Sequence, residues 1–458
     1  MRMIFNLIKK EILEDIYNVR FVILVLLCSV LIPLTLFISH KALNRDLEDY
    51  HQALSKYEEK LKSGQENTLT FEASGFRPPS ELRAFSNGLD AALPSSIRTT
   101  QKEGVKSGES RSEDAPYHAL FGTIDFLFIV KVVMSLIAVI FTFNAISGEK
   151  EQGTLKLILS NSIPRYKIAV AKYLGNLMIL SFPFSIGLVL GLLIIAMSSG
   201  AQLLSGENLI RILLMFITAL VYISLFINLG LFVSVVTKRS WTSIVFLLFS
   251  WVFFVLVVPQ TSGMIAETVY PIISRRVLNI EKDIQKKSIE TEQGKELREI
   301  FKKDDYDQLR KPIIEKYRQL LGKQLENIET EYSNKKRMQR TIANTLSRMS
   351  PASSLTFVFA ELSNTGYLEL ENFSTRAQEF QNQVEKNVYA DSYSDDTGSG
   401  MSVKLGTRDF SSIPRFTFQS IRLEKSISAV ELDFFLLLIM NVALFAAGVF
   451  LFIRYDIR

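Results

Sequence analysis

Six long apolar runs constrain this chain more than any other feature: Phe21–Ile38, Phe126–Ile146, Tyr173–Ser198, Leu209–Val236, Trp241–Val258 and Phe434–Ile453. A helix needs roughly 20 predominantly apolar residues to cross ~30 Å of hydrocarbon. A helix of a water-soluble domain carries one apolar stripe, whereas these runs are apolar on every face. The chain therefore reads as a polytopic membrane protein. Its first run lacks the form of a cleaved signal peptide. The leader is long and mixed in charge, and Ile38-Ser39-His40-Lys41 continues into a charged stretch without a small-residue cleavage site.

Basic residues in short loops orient the spans. With the N-terminus inside, residues 1–20, 147–172, 237–240 and 454–458 are cytoplasmic and hold thirteen Lys and Arg against six acids. The short outside loop Ser199–Asn208 holds Glu207 and no Lys or Arg. The net charge of +5 is thereby an orientation signal rather than a nucleic-acid surface. The expected division is a cytoplasmic interfacial helix over 1–20 and spans at 21–38, 125–146, 169–198, 209–236, 241–258 and 430–453. A cytoplasmic loop covers 147–168, external segments cover 39–124 and 261–429, and a short cytoplasmic tail covers 454–458. The fold class is all-α, with six transmembrane helices, two large, mainly helical external segments of coiled-coil character, and minor β.

In the first external segment Leu43, Leu47, Tyr50, Leu54, Tyr57 and Leu61 are spaced alternately four and three apart, a narrow heptad seam. The first span is expected to continue outward as one helix, stopping near Gly64. In the second, Ile314, Tyr317, Leu321, Leu325, Ile328 and Tyr332 repeat the device, and Met338, Ile342, Leu346 and Met349 extend it. Pro312 suits the first turn of that helix and Pro351 ends it. Val277, Ile280 and Ile284 mark a preceding helix, expected to break near Gly294 and Asp304-Asp305, so that the two form an antiparallel hairpin. Ser95–Ala115 and Ala390–Gly400 read as loops, and Leu69–Phe71 and Arg415–Phe418 as short strands.

Catalytic signatures are missing. The sequence has no G-x-x-x-x-G-K-[ST], H-E-x-x-H or G-x-S-x-G, and only one cysteine and three histidines. It is not read as an enzyme, and no cofactor or metal is expected on it. The informative stretch is Asn144–Lys167, a polar bend followed by Leu155, Ile158 and Leu159 at amphipathic spacing and a Pro164-Arg165 turn. By itself it fits a short helix along the cytoplasmic face, with Lys167 and Lys172 near the headgroups.

Glu149, Glu151, Gly153-Thr154-Leu155, Leu159-Ser160, Pro164, Arg165 and Lys172 resemble the E-x-E-x-G-T-L…L-S…P…R…K signature of ABC-2 type transporter permeases. Pro78-Pro79 with Gly88-Leu89, and Ser350–Ser353 with Thr365-Gly366, resemble external motifs of large-loop members. Phe452–Arg458 resembles their closing segment. The resemblance implies that Glu149, Lys150, Glu151, Gly153, Thr154, Leu155, Lys156, Pro164 and Arg165 couple to a separate cytoplasmic ABC ATPase. ATP and Mg would then act through that partner. It also implies that the leader, with Ile4, Phe5, Ile8, Ile12 and Ile16 on one side, is an interfacial elbow helix. A second permease copy or a homologous permease would complete a dimeric export system in a bacterial inner membrane. Many members have short external loops, so their substrates do not carry over.

Asp125 opens the second span and Lys131 lies six residues, about 9 Å, deeper. An intramembrane charge marks either a translocation route or an outer-end ion pair, here among Asp125, Lys131, Glu431 and Asp433. Gly187 and Gly191 form a G-x-x-x-G suited to close helix packing. Two functions stay open: substrate export, or mechanical transmission by the external hairpin to envelope partners without moving a substrate.

Overall fold

The structure, a computed structural model, describes residues 2–63, 73–90, 96–100, 104–107, 124–160, 163–198, 203, 206–301, 306–384 and 414–455. Six helices are long and apolar enough to cross a membrane, and the chain is an all-α polytopic membrane protein. It divides into two compact units. One is Met1–Leu256 with Ser350–Asp395 and Val403–Arg458, and the other is Val257–Met349 with Asp396–Ser402.

The first unit begins with α1 (Arg2–Ile16) and α2 (Val19–Ser63), the latter one unbroken helix that carries the first span and its heptad extension. The second span, α3, consists of Phe126–Phe128, a π turn over Ile129–Met134, and Ser135–Thr142. Two short helices follow, α4 (Ser147–Glu151) and α5 (Thr154–Ser160). Then come α6 (Arg165–Met197), α7 (Gly206–Val236) and α8 (Ser240–Val252). The later part of the unit supplies α12 (Pro351–Leu362), α13 (Tyr367–Val384) and α14 (Leu423–Arg454). The core lies where the spans meet, around Met134, Phe184, Tyr222, Phe226 and Phe359, all fully buried.

A glycine pair sets how closely two spans approach. A methyl group on Gly187 would overlap the backbone carbonyl of Cys28, and one on Gly191 would meet Leu36 and lie 3.5 Å from the Pro33 Cα. The third span therefore lies directly on the first, backbone against backbone.

A small external layer completes this unit. Strands β1 (Ala73–Phe76), β2 (Ser96–Thr100) and β3 (Gly104–Ser107) form an antiparallel sheet in that order, with Gly75 opposite Ile97 and Arg98 opposite Lys106. Ala73 and Ile97 pack on Phe373, Phe380 and Val384 of α13, joined by Phe416 and Phe418.

The second unit holds α9 (Val258–Val269), α10 (Arg275–Ile300) and α11 (Tyr306–Ser347). Lys282 pairs with Glu329, and Lys316 with Glu296 at 3.1 Å, so α10 and α11 run antiparallel. Leu278, Ile289, Ile300 and Tyr317 are buried in this hairpin.

Several expectations need correction. Gly294 does not interrupt α10, which runs to Ile300; its Cβ position is open, so the glycine costs propensity without breaking the hydrogen-bond ladder. The long helix starts at Tyr306, and Pro312 lies inside it, where the carbonyl of exposed Gln308 lacks a backbone donor. Ser96–Thr100 and Gly104–Ser107 are strands, because Ile97 supplies an apolar residue to the core under the sheet. Arg415–Phe418 form no strand: their phenylalanines pack on α13 without ladder partners. Gly64, Leu69–Phe71, Asp304-Asp305 and Ala390–Gly400 lie outside the described residues.

Candidate functional site

The loop after the second span is fastened through its charges, directly or by way of Lys172, to five elements: α1, α6, α7, α8 and α14. Glu149 Oε1 lies 2.8 Å from Lys172 Nζ, and the same ammonium reaches Glu11 Oε1 of α1 at 3.1 Å. Lys172 is 3% exposed. The sequence alone puts this lysine near the headgroups; in the structure two carboxylates hold it inside and accept hydrogen bonds from its ammonium. The acidic cluster extends to Asp15, whose carboxyl is pushed up to about 6 by burial and by neighbouring Glu11.

The next residue turns elsewhere. Lys150 Nζ donates to the carbonyls of Val235, of Thr237 at 2.9 Å and of Ser234 at 3.4 Å, and sits 4.6 Å from the centre of the Tyr455 ring. These carbonyls close the C-terminal end of α7, where unpaired acceptors and the helix dipole favour a cation. Glu151 Oε2 accepts from the backbone N–H of Ser240 at 3.1 Å, the N-terminal end of α8, where an anion is favoured. Arg165 Nη1 donates to the carbonyls of Ile453 and Tyr455, both at 2.7 Å, at the C-terminal end of α14. Each charge matches the helix end it meets.

The backbone between is built for a tight turn. Gly153 has φ +74°, the left-handed region a side chain disfavours, and nothing approaches its Cβ position, so conformation rather than space calls for glycine. Thr154 Oγ1 donates to the Glu149 carbonyl at 3.3 Å, Leu155 is buried, and Pro164 precedes the first turn of α6. Ser234 Oγ of α7 accepts the N–H groups of Ile146 and Ser147, both at 2.9 Å. What remains outward is a ridge of Glu151, Gln152, Gly153, Lys156, Leu157 and Ser160, with Leu157 70% exposed.

Among the intramembrane polar residues, Asp125 has a capping role. Asp125 accepts from the N–H of Phe128 at 2.8 Å and of Asn87 at 2.9 Å, capping α3. No ion pair joins it to Lys131 among the described residues. Asp433 is buried and Glu431 exposed. Lys131 sits in the π turn, and its carbonyl accepts from Ser135 Oγ at 2.6 Å and Tyr222 OH at 2.9 Å, while Trp251 Nε1 donates to Ser135 Oγ at 2.8 Å.

Sequence reasoning missed three groups. Tyr173, Ser224, Asn228 and Asn441 form a hydrogen-bonded chain across α6, α7 and α14, with Tyr173 OH 2.7 Å from Ser224 Oγ and Asn228 Nδ2 2.6 Å from Asn441 Oδ1. Their polar type inside apolar spans was the available signal. Buried Arg211 donates to the Leu362 carbonyl (3.1 Å), Asn364 Oδ1 (2.9 Å), Ser426 Oγ (3.0 Å) and the Ile421 carbonyl (2.7 Å), tying α7 to α12 and α14. Glu361 accepts from the Tyr367 N–H at 2.8 Å at the start of α13, and burial pushes its carboxyl up to about 7. The two external motifs meet each other: Leu89 N–H donates to the Thr365 carbonyl at 2.8 Å, and Ser80 Oγ to the Ser363 carbonyl at 2.5 Å.

A family model described as ABC-2 family transporter protein matches residues 5–457. No curated protein matches the sequence.

Proposed function

The chain belongs to the ABC-2 transporter family, and from that membership we propose that it is the permease subunit of an ATP-driven export system in a bacterial plasma membrane, with both termini cytoplasmic. A separate ABC ATPase binds and hydrolyses ATP with Mg, and a second permease copy completes the translocation unit. The observation that carries this reading is the loop between the second and third spans. Its charges grip α1, α6 and the ends of α7, α8 and α14, while Leu157 and its polar neighbours face outward. A partner pressing on that ridge meets a rigid lever rather than a loose loop. Displacement of the lever by ATP-driven closure would move those helices together.

Leu157→Asp tests the contact, because an exposed side chain changes with little effect on folding. The variant should insert and purify normally yet lose most co-purifying ATPase subunit and ATP-dependent export. Unchanged ATPase recovery would refute the assigned surface. A second reading draws on the α10–α11 hairpin being a compact unit of its own: it would transmit force to an envelope partner without moving a substrate. ATP-dependent flux in vesicles holding only permease and ATPase excludes that alternative.

A further inference from the structure

Three carboxylates converge on one ammonium where α1, α4 and α6 meet. Glu11 and Glu149 both pair with Lys172, and Asp15 lies one helical turn beyond Glu11 on α1, within reach of the same charges. The helices approach closely because residue 175 is glycine: a Cβ there would stand 3.0 Å from the Glu11 Cβ. The other charges at this junction are Lys10 and Glu14 of α1, which pair with each other at 3.3 Å, and Arg20 of α2, which donates to the Ile140 carbonyl and to Asn144 Oδ1. Three carboxylates thus share one buried cation. Glu149 Oε1 accepts from Lys172, but Glu149 Oε2 is closed to solvent and accepts no hydrogen bond among the described residues. An ionised carboxylate leaves such an oxygen uncompensated, and a proton on the cluster removes the excess charge.

We propose that Glu11, Asp15, Glu149 and Lys172 form a proton-gated clasp: a proton shared by the carboxylates holds α1 on α4 and α6, and its loss loosens α1 by repulsion. The environment of each acid supports this. Burial and then Glu11 push the Asp15 carboxyl up to about 6, with Glu14 adding to the rise and Lys172 and Arg20 opposing it. Burial also pushes the Glu149 carboxyl up although Lys172 lies beside it; Glu11 adds to that rise and Lys10 opposes it. The proton belongs to the cluster rather than to one residue. An acid whose value is raised on docking stabilises the docked state below its ordinary value, and that contribution is lost as pH rises through the docked value. For Asp15, raised from 3.8 to about 6, the docking equilibrium falls about tenfold between about pH 5 and 8. The consequence for an ATPase rests on the coupling role proposed above, because Glu149 belongs to the loop that presents Lys156 and Leu157.

Hydrogen exchange on the purified full chain tests the clasp, once rates are corrected for the intrinsic pH dependence of exchange. Amides of Arg2–Ile16 should be about tenfold more protected at about pH 5 than at pH 8, while the span cores keep constant protection. Asp15→Asn should reduce this dependence, and Asp15→Asn with Glu149→Gln should abolish it. Glu11→Gln removes a repelling neighbour and should move the loosening of α1 to lower pH, which gives a second reading if the Asp15 variant folds poorly. An infrared difference spectrum over the same range should carry a protonated-carboxyl band that weakens in Asp15→Asn. Protection of α1 that ignores pH, a dependence that survives in the double variant, or a band unchanged by Asp15→Asn would overturn the clasp. Recovery of the ATPase subunit should fall over the same rise in pH. Constant recovery beside a loosening α1 overturns the coupling consequence and leaves the clasp standing.

Discussion

Lys172→Met removes the one cation between two carboxylates and leaves a side chain of similar length in the same space. In the native protein the ammonium lies 2.8 Å from Glu149 and 3.1 Å from Glu11, with the lysine side chain 4% exposed and the two glutamates 17% and 16%. Removing one partner of a buried pair costs about 3–5 kcal/mol, mostly through the charge left behind. Both carboxylates keep a little water here, which places the cost near the lower end. About 3 kcal/mol is roughly a hundredfold in an opening equilibrium. The penalty falls on α1 and α4, which the lysine joins to α6, rather than on the whole fold. Hydrogen exchange on purified protein reads it directly: amides of Arg2–Ile16 should lose about two orders of magnitude in protection while the span cores keep theirs. Glu11→Gln and Glu149→Gln, added to Lys172→Met, should recover most of that loss, because neutral groups then occupy the site. Unchanged protection of α1 in the single variant would refute the reasoning, as would a triple variant no better than the single.

Glu361 makes α13 docking pH-dependent. Its folded carboxyl titrates at about 7 against an ordinary 4.5, so the folded state binds the extra proton between those values and stability falls as pH rises through that window; Glu361→Gln should flatten the thermal unfolding profile between pH 5 and 8. Arg211→Met strands the carbonyls of Leu362 and Ile421 and should cost about 3 kcal/mol, read as faster proteolysis of Pro351–Val384 in otherwise inserted protein. Gly187→Leu drives a side chain into the Cys28 backbone and should remove monodisperse protein in size-exclusion chromatography, whereas Gly263→Leu, with an open Cβ position, should not.

The spans were legible because hydropathy acts over twenty residues, and no single contact is needed to recognise it. The extension of α2 was equally open, since a heptad seam declares helix whether or not a membrane surrounds it. Boundaries set by tertiary packing were hidden. Strands β2 and β3 are mostly polar, with one large apolar residue between them in Ile97, and read as loop until Phe373 and Phe380, nearly three hundred residues later, supply a core beneath it. Lys172 shows the same limit for charge. Near a span end a lone lysine reads as a headgroup residue, and only the approach of α1 brings the second carboxylate that holds it inside.

The E-K-E triplet carries this limit furthest. A run of three charges at a membrane border reads from sequence as one solvated or partner-facing surface, because each residue is judged alone. Consecutive residues on a helix point about 100° apart, so Glu149, Lys150 and Glu151 must face three directions. Glu149 meets Lys172, Lys150 meets the C-terminal end of α7, and Glu151 meets the N-terminal end of α8. The sign of each charge follows from the helix end or ion it meets. Charge alternation is thus required by the surroundings, and reversing Lys150 would place an anion among three carbonyls. In the proposed coupling the contact would fall to Lys156 and Leu157, which stand outward while their neighbour Leu155 is buried. On that proposal the motif separates anchoring from recognition within a dozen residues: its charges hold the loop in place, and the short helix beyond them would offer the contact.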